Sequence, residues 1–170
     1  HRSSITLRQV LRMDAFDFRQ LCGRFATGIA VVTARDAEGR PAGMTVNSFT
    51  SVSLEPPLVL LAIDRAASMH AVLLGATHYT INILEAHQES LSRRFASGNP
   101  DRFEGIGFTP DALGRILLDG ALAHICCERV NTVEAGDHTL IIGQVVGGAS
   151  AEHGRPLLYY RGGYTEPDTL

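Results

Sequence analysis

A row of small, uncharged polar side chains lies beside the most apolar run of this 170-residue chain. If residues 43–54 form a strand, alternate positions share a face, and one face carries Thr45, Asn47, Phe49, Ser51 and Ser53. Hydroxyls and an amide around one phenyl ring suit a flat heterocycle, whose carbonyls and ring nitrogens need short, neutral partners. The alternative is a solvated face of an antiparallel sheet, although no charged residue stands within residues 43–54. From these residues alone, both interpretations stay open.

A second candidate for chemistry is His138, which follows Gly136 and Asp137. Histidine changes charge near neutral pH, so it can donate a hydrogen bond or a proton to a bound ligand. The alternative is structural. Gly136-Asp137 then forms a hairpin turn in which the aspartate bonds to nearby backbone, and His138 is only the first residue of the next strand.

The three cysteines do not indicate metal or redox chemistry. Cys126 and Cys127 are adjacent in a predicted strand, so their side chains point to opposite faces and cannot bind one ion together. Cys22 falls on the apolar stripe of a predicted helix, and we expect all three cysteines in the core. An odd number with one adjacent pair is a poor disulfide framework, which favours a reducing cytoplasm.

The composition bounds the class of protein. The chain is 45% hydrophobic with a net charge of −3, and its basic residues are scattered, which argues against nucleic acid or a membrane surface as a partner. No apolar run approaches the roughly 20 residues that a membrane helix needs. We expect residues 13–170 to form one domain. Residues 1–12 are interpreted as a tag remnant or a disordered extension, with a native amphipathic segment as the alternative.

The elements that must position these residues are mostly strands. Apolar spacing predicts helices over residues 16–25, 65–76 and 86–98. Strands are predicted over residues 29–34, 43–54, 79–84, 121–136, 138–148 and 157–164, with a further strand ending at Ile63 after the corner at Pro56-Pro57. Because strands rarely alternate one for one with helices, a closed or nearly closed antiparallel barrel is favoured over a parallel doubly wound sheet.

Five segments together resemble a known family. They are FRQLCGRFATGIAVVTA, GMTVNSFTSVSLEPPLVLLAI, YTINIL, AGDHTLIIGQV and LLYYRGGY. Their order and spacing are similar to those of short-chain flavin reductases, in the flavin-reductase-like, FMN-binding split-barrel family, and the resemblance runs from Phe16 to Tyr164. It implies a mainly β fold with inserted helices, an antiparallel Greek-key split barrel, and a homodimer with flavin at its interface.

The resemblance also implies an activity. Members of this family oxidise NADH or NADPH and pass hydride to FMN or FAD, and some supply diffusing reduced flavin to a separate monooxygenase. The choice between the two flavins and between the two nicotinamides stays open. Two other functions stay open as well: a flavoprotein that retains FMN and reduces another acceptor, and a non-enzymatic flavin- or haem-binding split barrel.

By position, the resemblance assigns roles to individual residues. The isoalloxazine edge would meet Thr45, Val46, Asn47, Ser48 and Phe49, and the ribityl chain Ser51 and Val52. The flavin phosphates would lie at Ala66, Ala67, Ser68, Met69 and His70, where a helix start offers free N–H groups. Arg94 and Phe95 would lie beside the flavin tail. His138 and Tyr164 would lie near the nicotinamide, with His138 as the catalytic candidate. Arg161 is a further candidate, for the 2′-phosphate of NADPH.

Overall fold

The computed structural model describes residues 13–169, so the predictions for residues 1–12 lie outside the described residues. The helices are α1 (Ala15–Cys22), α2 (Ser68–Gly75) and α3 (Glu89–Ala96), and a 3-10 turn at Ala86–Gln88 leads into α3. The strands are β1 (Thr27–Gly28), β2 (Ala30–Arg35), β3 (Pro41–Val46), β4 (Thr50–Leu54), β5 (Pro57–Asp64), β6 (His78–Ile83), β7 (Phe108–Pro110), β8 (Ile116–Leu118), β9 (Ala123–Ala135), β10 (His138–Ser150), β11 (Leu158–Tyr160) and β12 (Gly163–Thr165).

Seven strands form one antiparallel sheet in the order β3-β2-β6-β9-β10-β5-β4. Its edge strands β3 and β4 are nevertheless consecutive in the chain and are joined by residues 47–49 alone. A connection of that length spans at most about 15 Å, so the two edges must approach each other and the sheet curls into a barrel with a split. The prediction of a mainly β, antiparallel Greek-key split barrel is confirmed.

The alternation of side chains along β2 fills two separate cores. Val32 points into the barrel with Leu61, Ile81 and Ile141, whereas its neighbour Val31 points outward. The outer core joins Val31 to Phe95 of α3, Ile116 and Leu118 of β8, and Leu157. Because β2 is covered on both faces, five of its six residues are buried. The outer core thereby fixes α3 against the outside of β2 and β3.

The predicted single strand over residues 43–54 is wrong. The chain leaves β3 at Val46 and resumes as β4 at Thr50, and the β4–β5 register shifts again between Ser51 and Ser53. Alternate residues from 43 to 54 therefore do not all point to the same face of the sheet. Thr45 lies on the outer face beneath α3, whereas Phe49 packs against the inner core. The polar residues do not form one continuous face.

Two smaller predictions also need correction. Cys22 is exposed rather than buried, because α1 turns its apolar side chains to the surface, whereas Cys126 and Cys127 are buried as expected. Burial raises the pKa of the Cys127 thiol to about 12. The predicted strand over residues 157–164 is a hairpin of β11 and β12, which turns at Arg161 and Gly162, both with positive φ.

Candidate functional site

Two concave surfaces flank β3. The small cavity has a volume of about 210 Å³ and is lined by Ile29, Thr45, Val46, Asn47, Ala96, Tyr159 and Tyr164. The groove has a volume of about 910 Å³ and is lined by Asp36, Arg40, Pro41, Ala42, Gly43, Ser68, Met69, Val72 and residues 98–104. Gly43 and Thr45, two residues apart in β3, line different surfaces, so the groove and the small cavity lie at neighbouring points along this strand.

The small cavity joins residues that are far apart in the sequence. Thr45 Oγ1 donates a hydrogen bond of 2.6 Å to the carbonyl of Ser92, and Ser92 Oγ shares one of 2.8 Å with the Tyr164 hydroxyl. The Arg93 guanidinium lies 4.7 Å from the centre of the Tyr164 ring. Tyr159 packs edge-on against the same ring, with centroids 5.5 Å apart. The predicted flavin residue Thr45 and the predicted nicotinamide residue Tyr164 therefore share one cavity.

The other predicted flavin-edge residues have different surroundings. Ser48 Oγ donates to the Ala62 carbonyl at 2.9 Å and accepts from the Ala62 N–H at 3.1 Å, so this hydroxyl holds the chain against β5. Val46 is buried in the inner core, and Phe49 is half-buried against it. Asn47, Ser51 and Val52 are exposed beside the split of the barrel. Within residues 46–52, the side chains that can contact a ligand directly are therefore the exposed ones, Asn47, Ser51 and Val52.

The segment predicted to hold phosphate forms the start of α2. Its N-cap residue Ala67 has no side chain that can cap the helix, which leaves the first N–H groups of the helix without a side-chain acceptor. Ser68 is exposed, whereas Met69 is buried. His70 turns away and shares a hydrogen bond of 2.8 Å with Thr139 Oγ1 on β10. The helix start and Ser68 are thus available to an anion.

His138 lies next to this phosphate segment. The Arg65 backbone N–H donates to the Asp137 carbonyl at 3.0 Å, and Arg65 Nη2 donates to the Gly136 carbonyl at 2.6 Å. Opposite them, Asp64 Oδ1 accepts from the Ala66 N–H at 2.8 Å. His138 Nδ1 is 2.7 Å from Asp137 Oδ1, and this hydrogen bond lowers the pKa of the Asp137 carboxyl. With Nδ1 bonded, Nε2 is the ring nitrogen left for a ligand.

Three predicted site residues, Arg94, Phe95 and Arg161, make contacts with other parts of the protein. Phe95 is fully buried and packs edge-on against Phe103, with centroids 5.0 Å apart, so its ring belongs to the outer core. The Arg94 guanidinium donates to the carbonyls of Asp101, Arg102 and Glu104. Arg161 is exposed in the β11–β12 turn, and its N–H donates to the Gly23 carbonyl at 2.9 Å. Arg94 and Phe95 therefore support the groove wall from behind.

Sequence reasoning missed Arg102. Its Nη1 donates to the Gly43 carbonyl at 2.8 Å and its Nη2 to the Ser97 carbonyl at 2.5 Å, which ties the groove wall to β3. Gly43 must be glycine at this point, since a Cβ there would lie 2.8 Å from the Phe95 ring. No spacing within residues 99–104 predicts these contacts, because they depend on β3 lying beneath α3.

Among residues 13–169, no group of three or more His, Cys, Asp or Glu side chains is arranged to hold a metal ion. Within the same range, none of the helices has both the length and the apolar character needed to cross a membrane.

Comparisons with known proteins agree in pointing to one family. A sequence profile of the flavin reductase like domain matches residues 22–168. The chain is similar to the reductase subunit HsaB of a flavin-dependent monooxygenase from Rhodococcus jostii, at 38% identity over 98% of this chain and 87% of that protein. It is similar to the FMN reductase (NADH) SmoA from Agrobacterium fabrum, at 43% identity over 86% of this chain and 83% of that protein. Among solved structures, it is similar to the NADH:FAD oxidoreductase of Streptomyces globisporus in complex with NAD and FAD fragments, with a TM-score of 0.86 and 36% identity over 92% of this chain and 96% of that one.

Proposed function

Since this chain belongs to the flavin reductase family, we propose that the small cavity, the groove and the His138 turn are the binding surfaces of an NAD(P)H-dependent flavin reductase. The enzyme transfers hydride from a nicotinamide to FMN or FAD. One observation supports this use of the site above the others: Thr45 and Tyr164, expected on the flavin side and the nicotinamide side of the reaction, line the same cavity. Hydride transfer requires its two partners to be in contact, so residues for both must meet.

The residues present fit a flavin. Asn47 and Ser51 are exposed, neutral and polar beside the barrel split, as a ring with carbonyls and nitrogens requires. The uncapped start of α2, with Ser68 exposed, suits a phosphate. When bound, the flavin supplies the hydride-accepting chemistry, and the protein supplies binding and orientation.

The remaining residues act by position. Tyr164 is held in a fixed orientation by Ser92 and by the Arg93 guanidinium, so it offers a rigid ring for a nicotinamide to pack on. His138 offers Nε2 as a hydrogen-bonding group to the nicotinamide cofactor, with Asp137 fixing its ring through Nδ1. We retain Arg161 as the proposed contact for a 2′-phosphate, because it is exposed in the turn of the hairpin that carries Tyr164.

We assign the exposed apolar surface of α1 to a second copy of the chain. Phe16, Phe18, Leu21 and Phe25, which we call the α1 patch, are between 58% and 78% exposed. No residue of α1 is buried, so the helix exposes apolar side chains on more than one side, and exposed apolar surface of this kind commonly marks an interface. A homodimer would cover this patch, and the family resemblance favours that occupant.

The downstream partner proposed is a separate monooxygenase that receives diffusing reduced flavin. Relatives named as reductase subunits of flavin-dependent monooxygenases support this partner. A reducing cytoplasm suits the chain, because all three cysteines are free thiols. We also propose that residues 13–170 act as one catalytic domain.

The test is consumption of NADH and NADPH by the purified protein, with and without added FMN, FAD or riboflavin. We expect oxidation that requires added flavin and continues for many turnovers. Oxidation that is independent of added flavin but needs another acceptor would indicate a flavoprotein that retains FMN. Flavin or haem binding without any oxidation of NADH or NADPH would indicate a carrier and contradict the proposal.

A further inference from the structure

A third cavity, of about 300 Å³, is enclosed by residues 33–36, 75–80 and 113–116. We call it the β2–β6 cavity. It shares Asp36 with the groove and shares no residue with the small cavity. None of the residues proposed to contact flavin or nicotinamide lines it. Its volume is sufficient for a small organic molecule, so the cavity is a candidate for a separate binding site.

The floor of the β2–β6 cavity is the outer face of two paired strands. Thr33 and Arg35 of β2 and His78 and Thr80 of β6 point outward, because the residues that alternate with them belong to the inner core, namely Val32, Ala34, Tyr79 and Ile81. Thr33 is paired with Thr80 across the two strands. The four outward side chains therefore start about 5–8 Å from one another, close enough for one small ligand to contact several of them.

Thr80 carries a buried hydroxyl without a protein partner. The residue is fully buried, and its Oγ1 makes no hydrogen bond to any group of residues 13–169. The paired Thr33 is equally buried, but its Oγ1 donates to the Ile116 carbonyl at 2.8 Å and accepts from Asn82 Nδ2 at 3.0 Å. Leaving a buried hydroxyl unpaired is unfavourable, so Thr80 Oγ1 is suited to a ligand atom in the cavity that it lines.

Arg35 supplies a fixed cation at the same cavity. Its Nε donates to the Gly114 carbonyl at 2.8 Å and its Nη1 to the Gly39 carbonyl at 2.9 Å. These two bonds fix the guanidinium plane and leave Nη2 to donate to a ligand. Within the part of the chain that the structure describes, Arg35 makes no ion pair, so its charge is available to an anion.

The other charged groups that line the cavity are already neutralised. Arg115 pairs with Asp111, with 2.5 Å between Nε and Oδ2, and Asp36 pairs with Arg40, with 2.9 Å between Oδ2 and Nε. The charge that remains uncompensated at neutral pH is that of Arg35. A single cation matches the single charge of a carboxylate better than the double charge of a phosphate.

The rest of the lining suits an apolar body attached to that carboxylate. Leu113, which is 71% exposed, lines the cavity beside the Gly114 carbonyl that Arg35 holds. Ala76 lines it at the end of α2. The Ala76 carbonyl would oppose an anion, but it already accepts a hydrogen bond of 3.2 Å from Arg129 Nε. An apolar group that covers Leu113 would remove its side chain from water.

We propose that the β2–β6 cavity binds a small organic monocarboxylate. The carboxylate accepts hydrogen bonds from Arg35 and Thr80, and the apolar body lies against Leu113. Because the cavity lies apart from the surfaces assigned to flavin and nicotinamide, this site does not depend on the proposed function.

The first experiment is isothermal titration calorimetry of the full chain with benzoate, and with benzamide as its neutral isostere. We expect benzoate to bind with a dissociation constant at least tenfold lower than that of benzamide, because an amide cannot form an ion pair with Arg35. Excess FMN and NAD⁺ should leave benzoate binding unchanged. Absence of benzoate binding at millimolar concentrations, equal affinities for the two probes, or displacement of benzoate by FMN or NAD⁺ would each overturn the proposal.

The second experiment removes the cation. We expect Arg35→Gln to raise the dissociation constant of benzoate at least tenfold and to leave that of benzamide nearly unchanged. The matched control is Arg24→Gln, which changes an exposed arginine outside the β2–β6 cavity and should bind benzoate like the wild type. Wild-type affinity for benzoate in Arg35→Gln would contradict the proposal.

A third variant keeps the proposal testable if Arg35→Gln folds poorly. Thr80→Val removes the unpaired hydroxyl and keeps the shape of the side chain. We expect it to weaken benzoate binding several-fold while its Tm stays equal to that of the wild type or rises. The comparison is Thr33→Val, which should lower Tm because the Ile116 carbonyl loses its donor. Undiminished benzoate binding in Thr80→Val would show that the hydroxyl does not face the ligand, and would overturn the assignment.

Discussion

At the scale of single residues, His138 is the residue that we propose to contact the nicotinamide cofactor. Arg65 connects the turn before His138 to the residues that lead into α2, so a group at the start of α2 and a group at His138 are neighbours. Asp137 bonds Nδ1 of the ring, so His138 presents Nε2. We propose that Nε2 contacts the nicotinamide cofactor rather than the flavin.

We therefore expect His138→Ala to raise KM for NADH several-fold, because the loss of one hydrogen bond costs about 0.5–1.5 kcal/mol, while flavin binding changes little. Steady-state kinetics with each substrate varied in turn measures both effects. The control is His153→Ala, which changes an exposed histidine elsewhere. Unchanged kinetics for NADH in His138→Ala would remove His138 from the site.

The sequence could predict only part of the candidate site, for physical reasons. The family resemblance assigned Thr45 to the flavin edge and Tyr164 to the nicotinamide; these two residues line one cavity, and their roles stay predictions. The roles of Ser48 and Phe95 were not predictable, because a hydroxyl and a phenyl ring suit either a ligand or the protein interior. Ser48 is bonded to β5 and Phe95 is enclosed by the outer core, and both outcomes depend on packing between distant segments.

At the scale of elements, Arg94 and Arg102 determine the shape of the groove, because both hold its wall through backbone carbonyls. Arg102 is a positioning residue, because its guanidinium bridges Gly43 of β3 and Ser97 after α3. We expect Arg102→Ala to raise KM for flavin about tenfold with kcat little changed, since the groove wall loses its attachment to β3 while the small cavity keeps its residues. Arg102→Lys should restore little, because an ammonium lacks the planar fork of a guanidinium.

Kinetics together with limited proteolysis checks this prediction, and cleavage within residues 97–104 should become faster in Arg102→Ala. The control is Arg155→Ala, which removes surface ion pairs with Glu166 and Asp168. If KM for flavin stays at the wild-type value while the wall becomes sensitive to protease, the groove does not bind flavin.

A second prediction concerns the inside of the barrel. Gly143 of β10 lies near the end of the Tyr79 side chain, which extends from β6 past β9, and a Cβ there would be 2.1 Å from the Tyr79 hydroxyl oxygen and 3.1 Å from Cys127 Cβ. We expect Gly143→Ala to lower the free energy of unfolding by about 1–3 kcal/mol, because the packed interior cannot move aside freely. Urea denaturation measures the change.

The control for the barrel interior is Gly28→Ala, where a Cβ meets no atom within 4 Å. Adding Tyr79→Phe to Gly143→Ala should recover part of the loss, since it removes the nearest atom. Equal stability of Gly143→Ala and the wild type would contradict the close approach of the Tyr79 hydroxyl to Gly143.

The elements themselves were predicted with uneven success. The hairpin around Gly136-Asp137 and helices α2 and α3 follow directly from local patterns, because turn residues and apolar spacing are local signals. The break between β3 and β4 at residues 47–49 does not follow from a local pattern. It exists because β3 and β4 belong to opposite edges of a closed sheet, and an alternating sequence contains no information about closure.

At the scale of the whole molecule, the α1 patch predicts a homodimer. Phe18→Asp combined with Leu21→Asp should shift the protein toward a monomer in sedimentation experiments, because charges then replace apolar contacts. The control Leu113→Asp changes another leucine that is 71% exposed but lies outside the patch. A wild-type protein that sediments as a monomer at all concentrations would show that a second copy does not cover α1.

The central claim is that the protein reduces free flavin catalytically with a nicotinamide donor. It is tested most directly by mixing a small amount of protein with excess FAD and a larger excess of NADH in the absence of oxygen, and by following the visible absorbance of the flavin. We expect the whole flavin pool to lose its colour, far beyond one flavin per protomer, and admitted oxygen to restore the colour. Bleaching that stops at one flavin per protomer, or no bleaching, would contradict it.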